Sequence, residues 1–173
     1  TLFRSYQITS VFDDFTVLEN VALAARSAKR HGFSFWRALL EDQEAKNLAR
    51  AALVSVGLDS SAALMANELG YGERRQLELA MALAMQPKFL LLDEPMAGMS
   101  SQESAAVVSL LQKLKGHYTI LLVEHDMNAV FSLADRISVL VYGRVLVTGT
   151  PEEIRANAQV RAIYLGDEEV VTS

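Results

Sequence analysis

The chain has 173 residues, of which 51% are hydrophobic and 21% charged, and a formal net charge of −5. That is enough apolar material for one α/β core, while the acidic balance, with no basic cluster or aromatic-interleaved stripe, argues against a nucleic-acid-binding face. No window approaches about 18 uninterrupted apolar residues, so a membrane is reached only through a partner, and the absence of cysteine excludes disulfides and thiolate metal sites. In chain order, the first helix signal is Thr16-Val17-Leu18-Glu19, a capping box in which the Thr hydroxyl and the Glu carboxylate each satisfy a backbone N–H at the helix start. A stripe through Val17, Asn20-Val21 and Ala24 follows. A second helix is expected from near Ser34 through Phe35, Leu39-Leu40, Ala45, Leu48-Ala49 and Ala52-Leu53 to a stop at Gly57. Phe33, Phe35 and Trp36 have two readings, a partner-facing knob or packing between helices. Leu69-Gly70-Tyr71-Gly72-Glu73 then opens a helix whose Leu77, Leu79-Ala80 and Leu83-Ala84 recur at helical spacing up to the breaker Pro87.

From about residue 86 the pattern alternates. Strands over 89–93, 119–123 and 137–142 and helices over 101–115 and 126–134 read as parallel crossover units. Ser100 with Glu103 offers a second capping box, and the apolar runs flanking Tyr142-Gly143-Arg144 predict a hairpin at the sheet edge. Thr150-Pro151-Glu152-Glu153 starts a short helical tail that frays from Gly166 onward.

The chemistry concentrates at two strand ends. In Phe89-Leu90-Leu91-Leu92-Asp93-Glu94-Pro95 four apolar residues stop at two carboxylates and a proline, the form of a buried parallel strand whose carboxyl end lies where open α/β sheets bind ligands. Two carboxylates there suit Mg²⁺-nucleotide hydrolysis, one anchoring the metal's hydration shell and the next orienting or deprotonating water; a solvated turn is the plain alternative. Thr119-Ile120-Leu121-Leu122-Val123 likewise ends in Glu124-His125-Asp126, on the same edge. The glycine-flanked start at 69–73 presents unpaired N–H groups and the positive end of a helix dipole, a place for phosphate.

These segments resemble the nucleotide-binding subunits of ABC transporters. The signature motif matches Leu69, Gly70, Tyr71, Gly72 and Glu73, the Walker B strand and catalytic glutamate match Phe89–Glu94, the switch histidine matches His125, and the glutamine loop matches Tyr6-Gln7. The order and spacing of all four agree over nearly the whole chain. Tyr71, Ala97-Gly98-Met99, Val123-Glu124-His125-Asp126-Met127 and the ending Ile163-Tyr164-Leu165-Gly166 suggest the branched-chain amino acid uptake type.

The resemblance implies an α/β, P-loop NTPase-like ABC nucleotide-binding domain, a mostly parallel sheet core plus a helical subdomain. It divides the chain into the end of a core segment with the glutamine loop (1–13), a helical subdomain ending in the signature helix (14–85), the catalytic core (86–150) and a helical tail (151–173). ATP and Mg²⁺ are the implied cofactors, with Asp93 and Gln7 at the metal, Glu94, His125 and Gln7 at the attacking water, and residues 69–73 and Ser100 at the nucleotide or the subunit contact, the signature acting in trans. The implied partners are a second ATP-binding subunit and transmembrane permease subunits, with a periplasmic binding protein involved indirectly, at the cytoplasmic face of the inner membrane. The segment after Gln7, with Val11, Phe12 and Phe15, would face the permeases.

Three departures qualify the match. Gly70 stands where the signature commonly has Ser, Glu73 where Gln is common, and Ser100 where the loop after Walker B commonly has Asp. No G-x-x-x-x-G-K-[ST] occurs, and the chain opens with Thr1 only a few residues before Gln7, so the expectation is a domain missing its first β-rich part and inactive by itself. A lipopolysaccharide-export or urea-import ATPase is the nearest rival. A non-catalytic scaffold is the rival of another class, against which Asp93, Glu94 and His125 together argue.

Overall fold

A computed structural model describes residues 2–4, 11–27 and 42–165. They fall into two compact units, Thr1–Glu124 and His125–Ser173. Gln7, the aromatic set Phe33, Phe35 and Trp36, the expected helix start near Ser34 and the tail from Gly166 lie outside the described residues. Among the described residues no helix is long and apolar enough to cross a membrane.

The first unit combines three packed helices with a parallel sheet. Helices α1 (Val17–Ser27), α2 (Gln43–Val56) and α3 (Tyr71–Ala84) pack pairwise on one another. Their mutual core includes Val17, Val21, Ala49, Leu53, Leu77 and Ala80, all without solvent exposure. Local chemistry sets the ends: Thr16 and Glu19 exchange the hydrogen bonds of the capping box at 2.8 and 3.2 Å. Asp42 caps α2 by accepting from the Ala45 amide, and Gly57 closes it at φ 78°, a left-handed backbone that favours glycine.

The sheet runs β1 (Leu2–Arg4), β2 (Phe89–Asp93), β3 (Thr119–Val123), all parallel, with Asp93 opposite Val123. Helix α4 (Ser101–Leu114) makes the crossover from β2 to β3, its start fixed by the expected Ser100–Glu103 box. Leu90 and Leu92 are buried, whereas Leu121 and Val123 on β3 are about half exposed.

In the second unit, α5 (Met127–Leu133) precedes a hairpin of β4 (Ile137–Val141) and β5 (Arg144–Gly149), followed by α6 (Pro151–Ala156) and the single turn α7 (Ala158–Val160). Ile137, Val139, Ile154 and Val160 form its core, and the Arg155 guanidinium stacks 4.4 Å over Phe131. Tyr142 and Gly143 both have positive φ, 48° and 74°, so the two-residue connection is a type I′ turn whose twist matches the strands. The expected hairpin is present, and one other expectation is corrected. Strand 137–141 is not paired in parallel among the described residues; it pairs antiparallel with β5 in a sheet of two strands. The tight turn brings β5 alongside at minimal loop-closure cost, as expected from the Tyr142-Gly143-Arg144 segment.

One ion pair on α3 is nearly buried. Arg75 donates to Glu78 at 2.8 Å with side-chain exposures of 12% and 15%, and among the described residues Arg75 Nε and Glu78 Oε1 find no partner. Burial pushes the Glu78 carboxyl above its usual range, and Arg75 only partly offsets this. Because the folded pKa is raised, ionising Glu78 is less favourable in the folded chain than in the unfolded one, although Arg75, which burial would lower but Glu78 shifts upward, favours the ion pair. Arg75→Met alone should therefore cost about 2 kcal/mol by stranding the carboxylate, while Arg75→Met with Glu78→Leu should lie within about 1 kcal/mol of the parent. Urea unfolding of the three proteins at neutral pH measures both differences.

Candidate nucleotide site

The site is built where β2 stops. The apolar run holds Asp93 at the carboxyl end of a strand flanked on both sides by parallel neighbours. Glu94 then takes φ 44°, left-handed backbone that costs a non-glycine residue about 1 kcal/mol. Two hydrogen bonds hold it there: its N–H donates to the Val123 carbonyl at 2.9 Å, and its carbonyl accepts from the Ala97 amide at 3.1 Å. Both carboxylate residues are half-buried. Glu124, at the end of β3, accepts from the Met96 amide at 3.2 Å and so braces the same turn.

Among the described residues no three His, Cys, Asp or Glu side chains form a group that could hold a metal ion. A divalent cation at this edge would take a single protein carboxylate and complete its shell with water and phosphate oxygens, which is how Mg²⁺ is ordinarily bound beside nucleotides. Asp93 fits that demand.

Residues 69–73 form the entry to α3. Leu69 is buried, Gly70 and Tyr71 are exposed, and the helix runs from Tyr71. One of the amides expected to meet phosphate has an internal acceptor: Gly70 N–H donates to the Glu73 carboxylate at 3.0 Å, and the Glu103 side chain lies against Gly72. A Cβ on Gly72 would lie 2.9 Å from Glu103 Oε1, so glycine lets the two helix starts approach. Tyr71 Oη donates to the Ala97 carbonyl at 2.9 Å. The structure thus brings the start of α3 to the loop that leaves Glu94.

Ser100 is occupied as a helix cap, its hydroxyl 2.6 Å from Glu103 Oε2. His125 is exposed and opens the second unit, directly after β3. Gln7 lies outside the described residues.

The loop expected to meet a partner is held firmly. Asn20, with no solvent exposure, accepts from Phe12 N–H at 2.8 Å and donates to the carbonyls of Phe12, Phe15 and Thr16 at 3.0, 3.4 and 3.0 Å. Phe12 stacks on Phe15 with centroids 5.3 Å apart and stays 49% exposed. Arg74 in the first turn of α3 reaches Asp13 at 2.7 Å. Sequence reasoning placed Asn20 on a helix stripe and did not see these links; a polar residue at an apolar position of that stripe was the available signal.

Known proteins now supply the context. The profile of the family described as "ABC transporter" matches residues 3–97, more than half of the chain. The chain belongs to the ABC transporter family of ATP-binding proteins. A second profile, "Branched-chain amino acid ATP-binding cassette transporter", matches residues 144–170. The high-affinity branched-chain amino acid transport ATP-binding protein LivG of Salmonella typhimurium is 38% identical over 95% of this chain and 67% of its own length. BraF of Pseudomonas aeruginosa, of the same description, is 36% identical over the same shares. The lipopolysaccharide export ATP-binding protein LptB of Haemophilus influenzae is 28% identical over 94% of this chain and 64% of its own. Among solved structures, an ATP-binding cassette of an ABC transporter superposes with a TM-score of 0.77 at 24% identity, over 95% of this chain and 68% of that one. The fold is that of an ABC ATPase nucleotide-binding domain.

The Ser100–Glu103–Gly72 cluster makes a pH prediction. The Ser100 hydroxyl, then the Ser100 and Gly72 amides, hold the Glu103 carboxyl below its usual range. A depressed folded pKa means stability present above the unfolded value and lost as pH falls through the folded one. Between about pH 5 and 3 the urea midpoint of the parent should therefore fall more steeply than that of Glu103→Gln, which equilibrium unfolding across that range will measure.

Proposed function

We propose that the chain carries the catalytic part of the ATP-hydrolysing subunit of an importer for branched-chain amino acids. One observation carries the catalytic reading: the Asp93-Glu94 pair at the end of a central parallel strand, with Glu94 fixed in a left-handed turn by Val123 and Ala97. The substrate class draws its support from the LivG and BraF similarity and the match over residues 144–170, and the weaker LptB similarity makes export of lipopolysaccharide the lesser reading.

In this reading two subunits enclose ATP. Asp93, with Gln7, would hold Mg²⁺ through water, and the bound ion would offset phosphate charge. Glu94 orients the lytic water and draws its proton, and its pinned backbone keeps the carboxylate from wandering. His125 takes its place at the γ-phosphate from sequence position alone. Residues 69–73 meet the nucleotide of the partner subunit through backbone amides, since Gly70 brings no hydroxyl, and Ser100 lies on the same subunit contact. With no G-x-x-x-x-G-K-[ST] in the 173 residues, the amides and lysine that hold the phosphates must be supplied alongside them for ATP to bind.

Glu94→Gln, in the subunit with its P-loop, should keep ATP affinity while slowing hydrolysis about 100-fold or more, because the charge that polarises water is lost and the phosphate contacts stay. Nucleotide binding and single-turnover hydrolysis, measured side by side, decide it; unchanged turnover removes Glu94 from the role.

The rigid Phe12–Phe15 platform is the proposed contact to the transmembrane permease subunits. Phe12→Asp should uncouple transport from hydrolysis in the assembled transporter, because a carboxylate would be buried at an apolar contact, while hydrolysis by the soluble subunit stays within about two-fold. Parallel loss of both activities with a lower melting temperature would place Phe12 in the core instead.

A further inference from the structure

Tyr71 is half exposed, at 51%, yet its phenol is engaged. Its hydroxyl donates to the Ala97 carbonyl at 2.9 Å across a sequence separation of 26 residues. Gly98, at φ 76°, lies beneath it: a Cβ there would stand 3.3 Å from the phenol oxygen and 3.7 Å from the ring carbon that bears it. The Arg75 guanidinium, held by Glu78, lies beside the same phenol. The next residue, Gly72, lies against the Glu103 side chain, which a Cβ there would meet at 2.9 Å. Tyr71 therefore ties the first turn of α3 to the segment after Glu94 at Ala97, while Gly72 packs on Glu103 beyond that segment's far end.

What Tyr71 holds is the turn that presents Glu94. Ala97 donates its amide to the Glu94 carbonyl at 3.1 Å and gives its own carbonyl to Tyr71; Met99 N–H closes on Met96 O at 3.2 Å. A shorter side chain at position 71 would not span this gap, and phenylalanine would keep the ring on Gly98 while losing the tie.

We infer that Tyr71 is a positioning residue for ATP hydrolysis, its hydroxyl tying the loop that leaves Glu94 to the first turn of α3. This rests on the ATPase reading proposed above. Under it, the helix start that meets the partner's nucleotide and the carboxylate that serves the chain's own nucleotide move as one piece, so closure at one site is felt at the other.

The test is Tyr71→Phe, read in two ways. Hydrogen exchange should show the Ala97 and Met99 amides exchanging about 3- to 10-fold faster, the range expected for loss of one hydrogen bond of ordinary net strength, with Leu90–Leu92 unchanged and the melting temperature held. In the assembled transporter, kcat for ATP should fall by a similar factor while KM stays within about two-fold, since the phosphate contacts are untouched. Unchanged loop exchange overturns the tie. Faster loop exchange with unchanged kcat overturns the positioning role, and so does faster exchange throughout with a lower melting temperature. A parent transporter that hydrolyses no ATP would instead sink the ATPase reading, and the exchange pattern would still decide whether the tie exists.

Discussion

The hydrogen bond from Glu94 N–H to the Val123 carbonyl is the constraint on which the rest of the site depends. Parallel pairing sets Asp93 level with Val123, so the ladder ends with one further carbonyl available just beyond it. Glu94 takes that carbonyl as the last bond of the parallel ladder, and its left-handed φ then directs the chain into the loop 95–100 rather than onward as strand. Each later contact assumes it. Glu124 reaches Met96 because the turn folds back toward β3, and Tyr71 reaches Ala97 because the loop passes over the start of α3. The unfavourable φ is thus held by neighbours at the end of β3 and the start of α3, the usual way a folded protein maintains backbone strain near chemistry.

A second theme is the reuse of one device. Thr16–Glu19, Ser100–Glu103 and Thr150–Glu153 are reciprocal caps, and Glu73 closes half of one on Gly70. A carboxylate two residues into the first turn satisfies amides that would otherwise face water and lies at the favourable end of the helix dipole. Glu103 does this for its own helix and reaches Gly72 of another. The cap therefore also packs the starts of helices α3 and α4 together.

Much of this was legible in the sequence because it is local. The three reciprocal caps, the Gly57 stop, the abrupt end of the apolar run at Asp93 and the Tyr142-Gly143 turn each follow from a few adjacent residues. What sequence reasoning missed is long-range or conformational. A left-handed glutamate has no compositional mark, and the Tyr71–Ala97 and Arg74–Asp13 links join residues 26 and 61 apart in the chain. Gly72 and Gly98 were visible, but each reads as a local turn or phosphate glycine until the side chain opposite, Glu103 or Tyr71, is known. The hairpin of 137–148 was legible from its two apolar runs and turn residues, whereas the parallel neighbour that the alternation suggested for strand 137–142 is not among the pairings of the described residues.

The start of α3 shows how far those glycines' flanking residues change the chemistry expected of them. A helix end that binds phosphate needs donors to spare, yet Gly70 N–H already donates to Glu73 and the Glu103 carboxylate lies against Gly72. An incoming phosphate is a third anion at the same positive pole, so it cannot simply add to the arrangement. Both carboxylates sit on flexible stems, and rotating Glu73 away would give up its charge-assisted hydrogen bond from Gly70. A doubly charged phosphate group offers the amides stronger acceptors in return. Glu103 cannot leave without loosening the start of α4, whose cap it also makes. Any nucleotide contact by residues 69–73 must therefore be coupled to the segment between Glu94 and α4, through Glu103 as well as through Tyr71.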